Sequence, residues 1–153
     1  MRYFGCVLLI LCFLNANEIE VSAKEFIGSS KERVTQLKGD VEVKRANDIL
    51  RSKEAFIYLD NNNKPIKMRA IGDVKFDITL EDNRKFSGSA NEVIYIPNKQ
   101  EYQLLGDVMV AENGKSNSMK GDKILISYKE GYINVLGDND KPAKLIFKLD
   151  KKE

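Results

Sequence analysis

Histidine is missing from this 153-residue chain, and so is tryptophan. Without imidazole there is no histidine general base, no Ser-His-Asp triad and no ordinary zinc site. The two cysteines, Cys6 and Cys12, both fall in the first apolar stretch, which leaves the rest of the chain without thiol nucleophiles or a disulfide framework. Apart from a single turn allowed near Ala46–Leu50, no stretch after Leu14 carries an apolar i, i+3, i+4 stripe, so a helical architecture is excluded. Charge of one sign is lacking too. The 25 Lys and Arg nearly cancel the 23 Asp and Glu, leaving +2, and no nucleic-acid partner is expected from so weak a field. Most carboxylates alternate with Lys or Arg, the pattern of a solvated face. Asn113-Gly114-Lys115-Ser116 is similar to the end of a phosphate-binding loop, but Met109 stands where the leading glycine belongs. No enzyme, no cofactor and no metal site are expected.

What is present begins with Arg2 and an uncharged apolar run from Tyr3 to Leu14. The run is short of the roughly 20 residues of a membrane span and suits the h-region of a signal peptide, about 7–15 residues. Cleavage after Ala16 or Ala23 would satisfy the small-residue requirement. Ala16 is preferred, because a cut at Ala23 removes the strand Glu18-Ile19-Glu20-Val21. Residues 1–16 are therefore read as a signal peptide and 17–153 as one domain, with an uncleaved anchor as the alternative. Leu11, which is not small, argues against lipidation of Cys12.

The remainder is repetitive. Gly-Asp recurs at Gly39-Asp40, Gly72-Asp73, Gly106-Asp107 and Gly137-Asp138, each preceded by a small–polar–charged–apolar segment at Ala23, Ser52, Ala90 and Gly121. The distance from small residue to glycine is 16, 20, 16 and 16 residues, which means one supersecondary unit copied and stacked. Period-two alternation in Val74–Ile78 and Ile124–Tyr128 marks strands. Turn clusters such as Asn61–Pro65 and Asn113-Gly114 separate them, the latter expected as a type I′ hairpin turn. The fold class is all-β, with two facing sheets or a barrel-like roll needed to keep one face dry. Alternation places Val41, Val43, Ala55, Ile57, Leu59, Val74, Phe76, Ile78, Val93, Tyr95, Val108, Val110, Ile124, Ile126, Tyr128 and Val135 inside. Glu42, Lys75, Asp77 and Ser127 face water. A sealed core is the plain reading of such residues.

Met119-Lys120-Gly121-Asp122-Lys123-Ile124, the turn Tyr128-Lys129-Glu130 and Val135-Leu136-Gly137 resemble the LptA/OstA family of periplasmic lipopolysaccharide-transport proteins, as do Ala90-Asn91-Glu92 and Leu105-Gly106-Asp107-Val108. The resemblance covers roughly residues 18–149. It implies a half-open β-jelly roll, two facing and mostly antiparallel sheets built from internal repeats, in the periplasm of a Gram-negative bacterium. It implies a groove for the acyl chains of lipopolysaccharide (lipid A), lined by Val41, Val43, Ile57, Leu59, Val74, Phe76, Ile78, Val93, Tyr95, Val108, Val110, Ile124, Ile126 and Tyr128. Arg69, Arg84, Lys85 and Lys120 are candidates to meet glycolipid phosphates. The implied partners are an inner-membrane LptC-like protein, an outer-membrane LptD-like protein and further copies in a head-to-tail stack. Terminal strands near Ile19–Val21 and Leu145–Leu149 are expected to be unpaired within a protomer. An anchored inner-membrane partner of the same fold and a non-catalytic envelope scaffold are the alternatives.

Overall fold

In the computed structural model, which describes residues 18–147, ten strands account for most of the chain. They are β1 (Ile19–Ser22), β2 (Glu25–Ser29), β3 (Val34–Arg45), β4 (Asp48–Leu59), β5 (Pro65–Thr79), β6 (Lys85–Ile96), β7 (Glu101–Glu112), β8 (Asn117–Ser127), β9 (Tyr132–Leu136) and β10 (Lys144–Phe147). The strands form one antiparallel sheet in the order β1-β3-β4-β5-β6-β7-β8-β10, with β2 on the other half of β3 and β9 on the other half of β8. Cleavage at Ala16 and the cysteines concern residues outside the described part. The helical turn allowed near Ala46–Leu50 is not formed. Ala46 takes a left-handed φ of 52° and opens the two-residue turn Ala46-Asn47, and Asp48 already begins β4.

The two facing sheets expected from the pattern are two halves of this one sheet, folded along a common bend. The first wall holds β1, β10 and residues 41–45, 48–52, 74–79, 85–90, 108–112 and 117–121 of the long strands. The second holds β2, β9 and the remaining halves of β3–β8. The bend is where the Gly-Asp echo falls. Gly39, Gly72 and Gly106 sit at φ of 81°, 92° and 79°, and the following Asp40, Asp73 and Asp107 at 46°, 44° and 45°. Glycine adopts this region freely and aspartate tolerates it. Each pair adds one residue against the neighbouring strand, and the register shifts there, between Lys38 and Val41, Ile71 and Val74, and Leu105 and Val108. An extra residue on one strand bends it and increases its twist, so three stacked bulges crease the sheet. Outside the crease Lys24 reaches Asp40 at 3.3 Å and Lys53 reaches Asp73 at 2.9 Å. These exposed pairs contribute little to stability.

The fourth Gly-Asp departs from the other three. Residues 137–143 lie between Leu136 opposite Lys123 and Lys144 opposite Lys120, where residues 72–74 suffice in β5. The Asp138 carboxylate accepts hydrogen bonds from the backbone N–H of Asp140 (2.7 Å) and Lys141 (2.6 Å), closing a turn. Asn113-Gly114 also differs from expectation. Only Gly114 has positive φ, and Lys115 N–H donates to Glu112 C=O at 3.2 Å, the arrangement of a type II turn rather than I′. Nor are the terminal strands unpaired. β1 pairs with β3 and β10 with β8, and among the described residues nothing pairs with the outer edge of either, while Leu149 lies outside them.

Strand alternation turns one apolar row of each wall inward. Val41, Val74, Phe76, Ile78 and Val110 from the first wall meet Leu37, Ile57, Val93, Leu104 and Ile126 from the second in a single cluster. Each such side chain contributes about 1.5–3 kcal/mol on burial, which makes this contact the main source of stability.

Because the crease depends on left-handed backbone, Gly106→Ala should cost roughly 1–2 kcal/mol, its Cβ also falling 2.6 Å from Asn91 Nδ2. Gly28→Ala on exposed β2, with Thr35 Oγ1 the nearest atom at 3.9 Å, should stay within about 0.5 kcal/mol of the parent. Urea denaturation midpoints compare the two, and equal effects would remove the crease from the argument.

Candidate functional site: an apolar interior closed by a polar clasp

Between the walls the apolar cluster runs from one edge of the sheet to the other. At the β1 end Ile19, Val21 and Val43 are half-buried against it, and at the β10 end Met119 and Ile133 are. There a shallow cleft of about 240 Å³ is lined by Phe86, Met119, Ile133, Leu145 and Phe147 together with polar neighbours. Between the two ends the walls pack together in the cluster. Toward the β1 end a gap of only about 30 Å³ remains among Ile19, Val43, Leu50, Phe76, Val93 and Tyr95, room for about one water in apolar surroundings that do not favour one.

Where the wall tips meet, polar groups take over. Arg45 and Asp48, on either side of the β3–β4 turn, form an ion pair at 3.0 Å with side chains 16% and 8% exposed. From the opposite wall Tyr102 donates its hydroxyl to Asp48 Oδ2 at 2.6 Å, and from Asp48's own wall the Thr79 N–H donates to Asp48 Oδ1 at 2.8 Å. The Arg45 guanidinium lies 4.2 Å from the Tyr128 ring centre and 5.5 Å from that of Tyr95. The Tyr95 and Tyr128 hydroxyls are 3.2 Å apart. Backbone closes the same side: Glu81 N–H donates to Tyr128 C=O at 3.0 Å, and Arg84 Nη2 to Gly131 C=O at 2.7 Å. Beside this clasp a wider cleft of about 740 Å³ is lined by Arg45, Lys64, Glu81, Gln100 and Tyr128 among others. Burial, then the Tyr128 hydroxyl, pushes the Tyr95 pKa above its ordinary 10.0, and burial with the Asp48 charge does the same for Tyr102. Among the described residues no group of three or more acidic side chains is arranged to hold a metal ion.

An apolar interior open at two sheet edges is a fold that known proteins share. Residues 20–132 match the family described as the LptA/(LptD N-terminal domain) LPS transport protein. The chain belongs to this lipopolysaccharide-transport family. The solved structure of LptH, described as the LptA-homologous periplasmic component of the conserved lipopolysaccharide transport device of Pseudomonas aeruginosa, superposes with a TM-score of 0.75. The match covers 87% of this chain and 96% of that one at 16% identity, and at that identity it speaks for the fold. No curated protein sequence matches the chain.

For this member of the LptA family, the residues expected to line a groove are gathered in one place. Val41, Ile57, Val74, Phe76, Ile78, Val93, Tyr95, Val108, Val110, Ile124, Ile126 and Tyr128 are buried in the cluster, and Val43 and Leu59 pack against it half-buried. Lys75 and Asp77 are exposed and Glu42 and Ser127 half-buried, on the outward parity. Two of the cations proposed to meet phosphates already have partners, Arg69 in Glu92 and Arg84 in Asp82. The sequence reading missed Leu37, Met68, Leu80, Phe86 and Leu104 from the core, and missed Arg45, Asp48 and Tyr102 from the clasp. The alternation Tyr102-x-Leu104 could have placed Tyr102 and Leu104 inside. Nothing local points Asp48 at Tyr102, 54 residues away.

Asp48→Ala leaves the Arg45 charge buried without its carboxylate, and should cost about 3–5 kcal/mol in denaturant titrations. Tyr102→Phe keeps the packing and leaves Asp48 its Arg45 and Thr79 partners, and should cost less, about 1.5–3 kcal/mol. The raised tyrosine pKa values carry a sign. Above pH 10 the unfolded chain loses phenolic protons that the folded chain keeps, so this stability is present below that pH and is lost as pH rises beyond it. Tyr95→Phe,Tyr102→Phe should show a shallower loss of stability between neutral pH and pH 11 than the parent, measured by thermal melts. An unchanged slope would mean these hydroxyls are not protected by the fold.

Proposed function

We propose that this chain is a periplasmic lipopolysaccharide carrier that shields acyl chains between its two walls and takes part in a bridge from the inner to the outer membrane. The observation that supports this most is the apolar interior running to both free sheet edges, in a chain belonging to a lipopolysaccharide-transport family. Each methylene transferred from water to such an interior contributes about 0.8 kcal/mol. Several acyl chains therefore need no polar code, only non-directional walls such as Ile57, Phe76, Tyr95, Val108 and Ile126. Lipopolysaccharide binds as the walls part, since the present gap is too narrow for a chain. The implied route runs from an LptC-like partner through stacked copies to an LptD-like partner, with residues 1–16 directing export and then removed. Catalysis has no place in this scheme.

The narrowness of the gap favours one second reading, a sealed envelope scaffold. The two differ in what they hold. A photo-crosslinking residue at Phe76 or Ile126 should capture lipopolysaccharide in cells, while one at exposed Lys75 should not; equal labelling, or none with no co-purified lipid, would leave the scaffold standing. Phe76→Asp should abolish capture elsewhere in the groove, because a carboxylate set against hydrocarbon is strongly disfavoured. A single Ile57→Ala should lose only about 1–3 kcal/mol of contact and leave cells viable. Depletion of the protein should leave lipopolysaccharide at the inner membrane, and the mass of the native protein should correspond to a start at Asn17.

A further inference from the structure

The three internal junctions between repeat units share one register, and the two free edges of the sheet are the two halves of a fourth. Each unit has a first strand with a small–polar pair at the crease and a second strand with Gly-Asp: β1/β2 with β3, β4 with β5, β6 with β7, and β8 with β9/β10. Within units, Glu25, Glu54, Glu92 and Lys123 stand opposite Lys38, Ile71, Leu105 and Leu136. Across the crease, Ser22, Arg51, Ser89 and Lys120 stand opposite Glu42, Lys75, Met109 and Lys144. These sets are structurally equivalent positions. Between units the same positions meet again: Lys38 with Glu54, Ile71 with Glu92, Leu105 with Lys123, then Glu42 with Arg51, Lys75 with Ser89, Met109 with Lys120. Among the described residues β9/β10 is thus a second strand with no first strand after it, and β1/β2 a first strand with no second strand before it.

We propose that a second copy of this chain completes that junction in the register of the other three. Leu136 then lies opposite the next copy's Glu25, and Lys144 opposite its Ser22. Counting outward along the antiparallel strands sets Leu145 opposite the next copy's Val21, Phe147 opposite its Ile19 and Val135 opposite its Phe26. This rests on the head-to-tail reading above and adds the residue pairing to it.

An independent property of the strands agrees with the register. Leu145 stands opposite Met119 and Val135 opposite Ile124, while Val21 stands opposite Val43 and Phe26 opposite Leu37, and Met119, Ile124, Val43 and Leu37 all belong to the interior cluster or pack against it. Leu145 with Val21, Phe147 with Ile19 and Val135 with Phe26 therefore each join an inward side chain to an inward side chain, and Lys144 with Ser22 joins outward to outward. A slip of one residue would set inward Leu145 against outward Glu20 or Ser22. Leu145, Phe147 and Phe26 are 58%, 63% and 51% exposed in the single chain, large apolar groups that this pairing covers. On the outer face Lys144 falls diagonal to the next copy's Glu20, within reach of a long side chain. The contact is heterologous and does not close, so it propagates.

The test uses the full-length chain with Cys6→Ser and Cys12→Ser, so that introduced cysteines are the only thiols. Val21→Cys with Leu145→Cys, and separately Ile19→Cys with Phe147→Cys, should give a ladder of disulfide-linked oligomers on mild oxidation. Glu20→Cys with Leu145→Cys should stay monomeric on the same gel, with circular dichroism confirming β content in every variant. A ladder from the slipped pair and none from the matched pairs overturns the register while leaving the stack. No ladder from any pair, although light scattering shows the parent oligomerising, means that other surfaces join the copies and overturns the proposal alone. A parent that stays monomeric at every concentration removes the stacking reading itself, and the register with it.

Discussion

Everything in this molecule depends on a backbone conformation that most residues avoid. At three places along the crease a glycine and an aspartate both take positive φ, and each pair inserts one residue more than its neighbours carry. With those bulges, a strand such as β5 contributes Met68 and Ala70 to one wall and Val74, Phe76 and Ile78 to the other. Without them, the same sequence would make a long flat sheet with one apolar face in water. The crease converts a single layer into two, and no separate crossover connection is required.

The opposite side is held by a different kind of force. Apolar contact is non-directional and would let the wall tips slide. Arg45, Asp48 and the three tyrosines impose angles and distances instead. A buried ion pair is a poor source of stability compared with apolar packing of similar volume, but it restricts the alternatives, because each misplacement leaves a charge unsatisfied. The interior therefore has a hinge built from backbone conformation, a lining that accepts any hydrocarbon, and a clasp that accepts one arrangement.

Much of this was legible in the residues because it is periodic. Alternation gives the inward face of β5 and β8 directly, and the Gly-Asp echo marks the crease in β3, β5 and β7. The fourth echo misleads for a local reason: the run Asp138-Asn139-Asp140-Lys141-Pro142 has turn chemistry of its own, with the Asp138 carboxylate binding the backbone ahead of it. Asn113-Gly114 names a turn but not its type, which the flanking strands decide. The clasp was invisible, since Arg45-Ala46-Asn47-Asp48 reads only as a turn until Tyr102 is brought over it from the other wall. The terminal strands were expected to be unpaired and are not, because β3 and β8 extend far enough past the crease to give β1 and β10 a ladder on one side.

The order of the strands has a kinetic consequence. From β3 to β8 each strand pairs with the one just made, so loop closure for every hairpin is short and inexpensive in entropy. Low sequence separation between contacts favours fast folding, and a chain delivered gradually, from one end, can zip up hairpin by hairpin. The hydrogen bonds of Tyr102 to Arg45 and Asp48, which span 57 and 54 residues, cannot form until three further strands have been laid down. The clasp therefore forms only after the ladders from β3 to β7, and the creased sheet with its tips apart precedes the closed one along this order of assembly.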